Sequence, residues 1–115
     1  ILTHPGPGFA LAFFGCLYAG VPAVPAYPPR KQESPTRLAT LVRDANARIV
    51  IADRAAAAAL SQLGDAMREL RIVIVEDVAA AHGLRERAQR WVRPAIDGES
   101  IAFIQYTSGS TGLPK

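Results

Sequence analysis

The chain has 115 residues, half of them apolar, and a formal net charge of +3. That length suits one small domain or part of a larger one, and the apolar fraction excludes a disordered chain. The basic residues are mostly Arg scattered without a Lys/Arg block or interleaved aromatics, which argues against nucleic acid as a partner, and a single cysteine, Cys16, excludes an intrachain disulfide and a Cys-based metal cluster.

Ile1-Leu2 reads as the tail of a strand, followed by a turn-rich connection, Thr3–Gly8. Phe9–Ala19 (FALAFFGCLYA) is apolar on all sides, so a helix enclosed on every face is expected, with Cys16 as a buried inert thiol. Gly15 is expected to allow a close backbone contact, and Gly20 to stop the helix as a C-cap. Phe9 to Tyr27 has the length and apolarity of a membrane span, but Gly20, Pro22 and Pro25 interrupt it. No charged n-region precedes this run, so a signal peptide is not expected. Val21–Tyr27 is extended, with a short strand around Ala23-Val24, and Pro28–Lys31 forms a stiff turn.

Ser34 and Pro35 start a second helix as N-cap and first helical residue. Leu38, Leu41, Val42 and Ala45 give it one apolar face, with Arg37, Arg43 and Asp44 off that face in solvent, and Asn46 ends it. Arg48–Ala52 is a buried parallel-strand candidate. Asp53 caps a third helix from Arg54 to about Leu63, interrupted at Gly64-Asp65, with Met67 in the core. Arg71–Val75 is the next strand candidate, and Ala79 to Arg90 is a helix broken at Gly83. His4 and His82 have no visible metal partner, Trp91 is a packing anchor, and Pro94–Ser100 is a turn. Strand, helix, strand, helix, strand implies right-handed crossovers and an α/β fold: a mostly parallel, Rossmann-like layered sheet with flanking helices.

The most informative stretch closes the chain. Ile101–Tyr106 reads as a buried strand, with Tyr106 packing at its end, and it runs into Thr107-Ser108-Gly109-Ser110-Thr111-Gly112 and then Lys115. Glycines let backbone N–H groups approach an oxyanion, hydroxyls donate further hydrogen bonds, and a lysine brings a point charge. Ser/Thr/Gly runs are more often plain loops. Here the loop follows directly from a strand, where α/β sheets place their ligands. Gly109 and Gly112 are only three apart and Lys115 does not follow a glycine, so this is not the G-x-x-x-x-G-K-[ST] loop.

Tyr106–Lys115 (YTSGSTGLPK) resembles the phosphate-binding signature of the adenylate-forming superfamily, and Gly15–Arg30 (GCLYAGVPAVPAYPPR) is similar to a segment typical of its fatty acyl-AMP ligases. The resemblance implies ATP-dependent activation of a carboxylic acid, a fatty acid foremost, to acyl-AMP with release of pyrophosphate. Transfer to an acyl carrier protein or CoA follows. It implies Thr107, Ser108, Ser110 and Thr111 as hydroxyl donors to ATP, Gly109 and Gly112 as backbone room, and Lys115 as the phosphate's cation. Residues 1–115 would then be part of the N-terminal AMP-binding domain, cut at both ends, in a cytoplasmic enzyme. The Mg²⁺ ligands, the catalytic lysine and the C-terminal domain would lie beyond Lys115, leaving no catalytic or metal residue to assign here. Two other readings stand beside this one: a non-catalytic nucleotide- or phosphate-binding α/β module, and a membrane-associated segment built on Phe9–Tyr27.

Overall fold

The computed structural model describes residues 1–29, 35–60 and 69–107. Among these are five helices, α1 (Pro7–Ala19), α2 (Pro35–Asp44), α3 (Arg54–Leu60), α4 (Val75–Ala79) and α5 (Leu84–Gln89), and two strands, β1 (Ile49–Ala52) and β2 (Arg71–Ile74). The strands pair in parallel with Ile49 opposite Arg71 and Ala52 opposite Ile74. Three further segments extend this ladder by isolated contacts. Leu2 bridges Ala52 in parallel, its N–H donating to the Ile51 carbonyl at 2.8 Å. Ile1 donates to the Val24 carbonyl at 2.7 Å and accepts from the Ala26 N–H at 2.9 Å, the pattern of parallel neighbours. Ala23 in turn bridges Phe103 in parallel. Across the sheet the order is therefore 101–104, 23–26, 1–2, β1, β2.

Helix ends follow local chemistry. α1 stops in a Schellman motif: Gly20 is left-handed (φ 67°), its N–H donates to the Leu17 carbonyl, and the Val21 N–H to that of Cys16. α2 stops the same way with Asn46 in glycine's place (φ 47°), Asn46 donating to Arg43 and Ala47 to Val42. Asp53 caps α3, its Oδ1 accepting the Ala56 N–H at 2.8 Å. Ser34, Met67 and the Gly64-Asp65 break lie outside the described residues, as do Arg30 and Lys31.

The core sits between the sheet and α2 and α3. Leu38 of α2 and Ala56 and Leu60 of α3 close over Leu2, Val50 and Ala52. Val50 and Ala52 alternate to that face, as the two-residue period of a strand requires. Full burial of a Leu or Val contributes roughly 1.5–3 kcal/mol. α1 belongs to the other face, since its crossover runs toward Ala23 whereas that of α2 runs back past Leu2 to β1. α1 touches α4, and its Phe13 ring lies 5.9 Å from that of Phe103.

Several expectations are corrected here. α1 is not enclosed on all faces: Ala12 and Cys16 are buried, but Leu11 and Phe14 are 59% and 57% exposed. Gly15 makes no close contact, since a Cβ built there would meet nothing within 4 Å. Ile101–Tyr106 is not a buried strand but an exposed extended segment with one bridge at Phe103; among the described residues it pairs along one edge alone, and its apolar side chains lack cover. Val75 ends β2 one residue early by opening α4, whose first turn carries Glu76 and Asp77, the charges a helix N-terminus favours. Of the helix expected over Ala79 to Arg90 with a break at Gly83, only the part after the break forms, as α5, with left-handed Gly83 (φ 71°) in front of it; α4 ends at Ala79. Trp91 anchors through its edge: Nε1–H donates to the Tyr18 carbonyl at 2.8 Å, and the two rings meet edge to face at 5.3 Å.

Candidate functional site

The order of connections reverses around Ile1-Leu2. α1 carries the chain to one side of that segment and α2 returns it to the other, so the switch point lies between residues 1–2 and β1. Open α/β sheets bind ligands outside the carboxyl ends of the strands at such a point. A cleft of about 560 Å³ opens beside that point, at the carboxyl ends of segments 1–2, 23–26 and 101–104. Thr3 and Pro5 follow the first segment into it, Pro25, Ala26 and Tyr27 the second, and Gln105, Tyr106 and Thr107 the third. Phe9 of α1 and Arg37 and Leu41 of α2 complete its wall.

The cleft offers apolar contact from Pro5, Phe9, Pro25 and Leu41 and polar groups from Thr3, Arg37, Gln105 and Thr107. Thr3 is buried, and among the described residues its hydroxyl has no hydrogen-bond partner. An orphaned buried hydroxyl costs about 1–3 kcal/mol, which a bound polar group would offset. Of the residues singled out in the sequence, Thr107 is placed at the cleft. Ser108, Gly109, Ser110, Thr111, Gly112 and Lys115 lie outside the described residues.

Beside the cleft the carboxyl edge of the sheet is laced by acids. Asp53, just past β1, reaches back to His4, just past Leu2. Its Oδ2 accepts the His4 backbone N–H at 2.6 Å and lies 2.8 Å from His4 Nδ1. Burial pushes the Asp53 carboxyl up, but the hydrogen bonds from His4 and Ala56 prevail and hold it below its ordinary 3.8. Past β2, Glu76 accepts the Arg54 backbone N–H with both oxygens at 3.1 Å, and Arg54 Nη2 donates to Asp77 Oδ1 at 2.6 Å. That hydrogen bond with Asp77 and the attached charge raise the Arg54 pKa. These acids are committed to holding strand ends in step, and among the described residues no group of three His, Cys, Asp or Glu could hold a metal ion.

Three roles escaped the sequence. His4 is not alone in its turn but paired with Asp53. The usable signal was positional: each stands just past the carboxyl end of adjacent parallel segments. Arg37 and Asp44 are not merely solvated, because Arg37 lines the cleft and Asp44 accepts a hydrogen bond from the Tyr106 hydroxyl. Tyr106 is accordingly tied by its polar tip instead of packing at a strand end. Burial pushes the Cys16 thiol pKa up, leaving it protonated and unreactive. Among the described residues no helix is long and apolar enough to cross a membrane.

Comparison with known proteins agrees with this arrangement. The chain is 35% identical over its whole length to the medium-chain-fatty-acid–[acyl-carrier-protein] ligase JamA of Moorena producens, covering 20% of that protein. It is 32% identical over 99% of its length to the long-chain-fatty-acid–AMP ligase FadD32 of Mycolicibacterium smegmatis, covering 18% of it. Among solved structures it superposes on a fatty acyl-adenylate ligase from L. pneumophila in complex with acyl adenylate and pyrophosphate, with a TM-score of 0.78 and 31% identity. That match spans 99% of this chain and 19% of that one. McyG A-PCP complexed with phenylalanyl-adenylate, at 21% identity and a TM-score of 0.78, shares the fold. The chain thus spans about a fifth of the relatives it matches. Residues 1–115 match the family described as AMP-binding enzyme, and with a parallel α/β sheet opening a cleft at its carboxyl edge, the chain belongs to that family.

Proposed function

We propose that the protein carrying this chain activates a fatty acid with ATP and passes the acyl group to a thiol, on an acyl carrier protein or CoA, with residues 1–115 forming part of its N-terminal AMP-binding domain. The observation that carries this reading is the placement of Thr107, first residue of the TSGSTG run, at the cleft on the carboxyl edge of the sheet. The relatives named for fatty-acid ligation support the choice of acid.

In the first step a carboxylate oxygen attacks the α-phosphorus of ATP. The bond from that phosphorus to the bridging oxygen breaks, and pyrophosphate leaves with the electron pair. In the second, the thiol sulfur attacks the acyl carbon, AMP departs and the thiol proton is released. The chain's part is electrostatic: donors fixed before the reaction stabilise charge developing on the leaving pyrophosphate. The hydroxyls of Thr107, Ser108, Ser110 and Thr111 donate, Gly109 and Gly112 give backbone access, and Lys115 supplies the cation. Magnesium would accompany the triphosphate, with its ligands expected outside residues 1–115. An ATP-using reaction and one buried thiol accord with a cytoplasmic setting.

The test is fatty-acid-dependent ATP–pyrophosphate exchange by the intact protein. Exchange is expected, with Lys115→Ala and Gly109→Val each lowering kcat/KM for ATP at least about 100-fold. The 115-residue chain by itself is expected to catalyse none. ATP binding without exchange for any fatty acid would replace this reading with a non-catalytic nucleotide-binding module.

A further inference from the structure

Asp44 occupies a position that helix electrostatics disfavours. It lies in the last turn of α2, where the macrodipole is negative and a cation is the favoured charge. No backbone N–H needs it there, because α2 already ends in the motif built on left-handed Asn46. What the carboxylate does hold is the Tyr106 hydroxyl, 62 positions along the chain, which donates to Asp44 Oδ2. Tyr106 stands directly before Thr107. Two residues earlier, the Ile104 N–H donates to the Ala23 carbonyl at 2.8 Å, the last backbone tie of this segment to the sheet among the described residues. Beyond Ile104 the course of the described chain is fixed at Tyr106, by one side chain. Gln105, Tyr106 and Thr107 all line the cleft, and so do Arg37 and Leu41 of α2, the helix that carries Asp44. The phenol is a firm donor, since its hydrogen bond to Asp44 raises its pKa above the ordinary value of 10.0.

We propose that Asp44 and Tyr106 form a positioning pair for the triphosphate. Neither reacts; together they fix the point at which the chain leaves the sheet for the segment beginning at Thr107. This rests on the proposed function, in which that segment holds phosphate. The pair converts an exposed, one-sided extended segment into a defined starting point for the loop, which the single bridge at Phe103 cannot do alone. An acid at the end of α2 is the cost of that anchor, and a phenol is the partner that keeps it bound without adding a second charge beside a polyanion.

The experiment uses the intact protein with Tyr106→Phe, Asp44→Ala, Asp44→Asn and the Tyr106→Phe/Asp44→Ala double variant. Tyr106→Phe and Asp44→Ala are each expected to raise KM for ATP about tenfold, leaving KM for the fatty acid and the thermal midpoint unchanged. Asp44→Asn recovers most of the loss, because an amide oxygen still accepts from the phenol. The double variant is no worse than either single one, because both break the same bond. Amide hydrogen exchange over residues 101–107, which needs no turnover, is expected to quicken about tenfold in the same two single variants. An ATP KM within twofold of wild type, a parallel rise in both KM values with a lowered midpoint, or additive effects in the double variant would each overturn the positioning role. A wild-type protein that exchanges no pyrophosphate overturns the proposed function and the triphosphate role with it. Hydrogen exchange then decides separately whether the anchor exists, and unchanged rates sink it as well.

Discussion

On the face covered by α2 and α3, Leu38, Ala56 and Leu60 close over Leu2, Val50 and Ala52, and Leu60 is 1% exposed. On the face served by α1, side chains of equal or greater hydrophobicity stay open: Leu11, Phe14 and Tyr18 on the helix, Val92 beyond α5, and Ile101 and Phe103 on the last extended segment. The first face has a helix for each pair of strand segments. The second has one long helix that buries only Ala12 and Cys16, plus two short ones. Core-like composition is therefore no guarantee of burial; a layer must lie on top. Leu11, Phe14 and Tyr18 fall at i, i+3 and i+7, one open apolar stripe along α1, of the kind an interface uses.

The sharpest way to break this contrast is to remove one leucine from each face. Leu60→Ala is expected to cost about 2–5 kcal/mol by urea denaturation, in the 115-residue chain and in the longer protein proposed to carry it alike. Leu11→Ala is expected to cost less than about 0.5 kcal/mol in the 115-residue chain, and about 2–5 kcal/mol in the longer protein if its remainder covers α1. Equal small costs for Leu11→Ala in both would mean the second face is a genuine surface.

Next in size is Gly20→Ala. Its left-handed φ of 67° disfavours any side chain, and a Cβ there would sit 2.6 Å from Pro94 Cβ. A loss of about 1–3 kcal/mol is expected, measured as a lower urea midpoint. Asp53→Ala comes third, at about 1–2 kcal/mol, because it removes the cap of α3 and the tie to His4. Because the folded state holds the Asp53 carboxyl below 3.8, its contribution is present above that value and is lost as pH falls through the lower folded-state pKa. A pH series should show wild type losing stability below 3.8 and the variant losing less. If the two profiles run parallel, the tie to His4 does not exist in solution. The smallest effect belongs to Arg54→Gln. That ion pair with Asp77 is exposed on both partners, and no shift in midpoint beyond experimental scatter is expected.

What could be read from the sequence was what neighbours along the chain decide. The apolar stripe Leu38, Leu41, Val42, Ala45 gave α2, the β-branched run gave β1, and Gly20 and Asp53 gave a helix stop and a helix start. Each depends on a few consecutive residues. The errors came where distant segments decide. Whether Phe14 is covered depends on what packs over α1, and whether Asp44 is idle depends on where Tyr106 arrives 62 residues later. The candidate site divides the same way. The chemistry proposed for it rests on the TSGSTG run, of which Thr107 alone falls among the described residues. Its position, a cleft at the carboxyl edge of the sheet walled by Thr3, Arg37 and Tyr27, required the strand order.

Cys16 gives the open face a practical use. A protonated thiol shielded by the fold reacts with an excess of alkylating reagent only when α1 lifts away, so its modification rate reports local opening. With one sulfhydryl in residues 1–115, the mass of the peptide holding it becomes a built-in clock. Run on the 115-residue chain and on the longer protein proposed to carry it, that clock reads whether anything further clamps this helix in place.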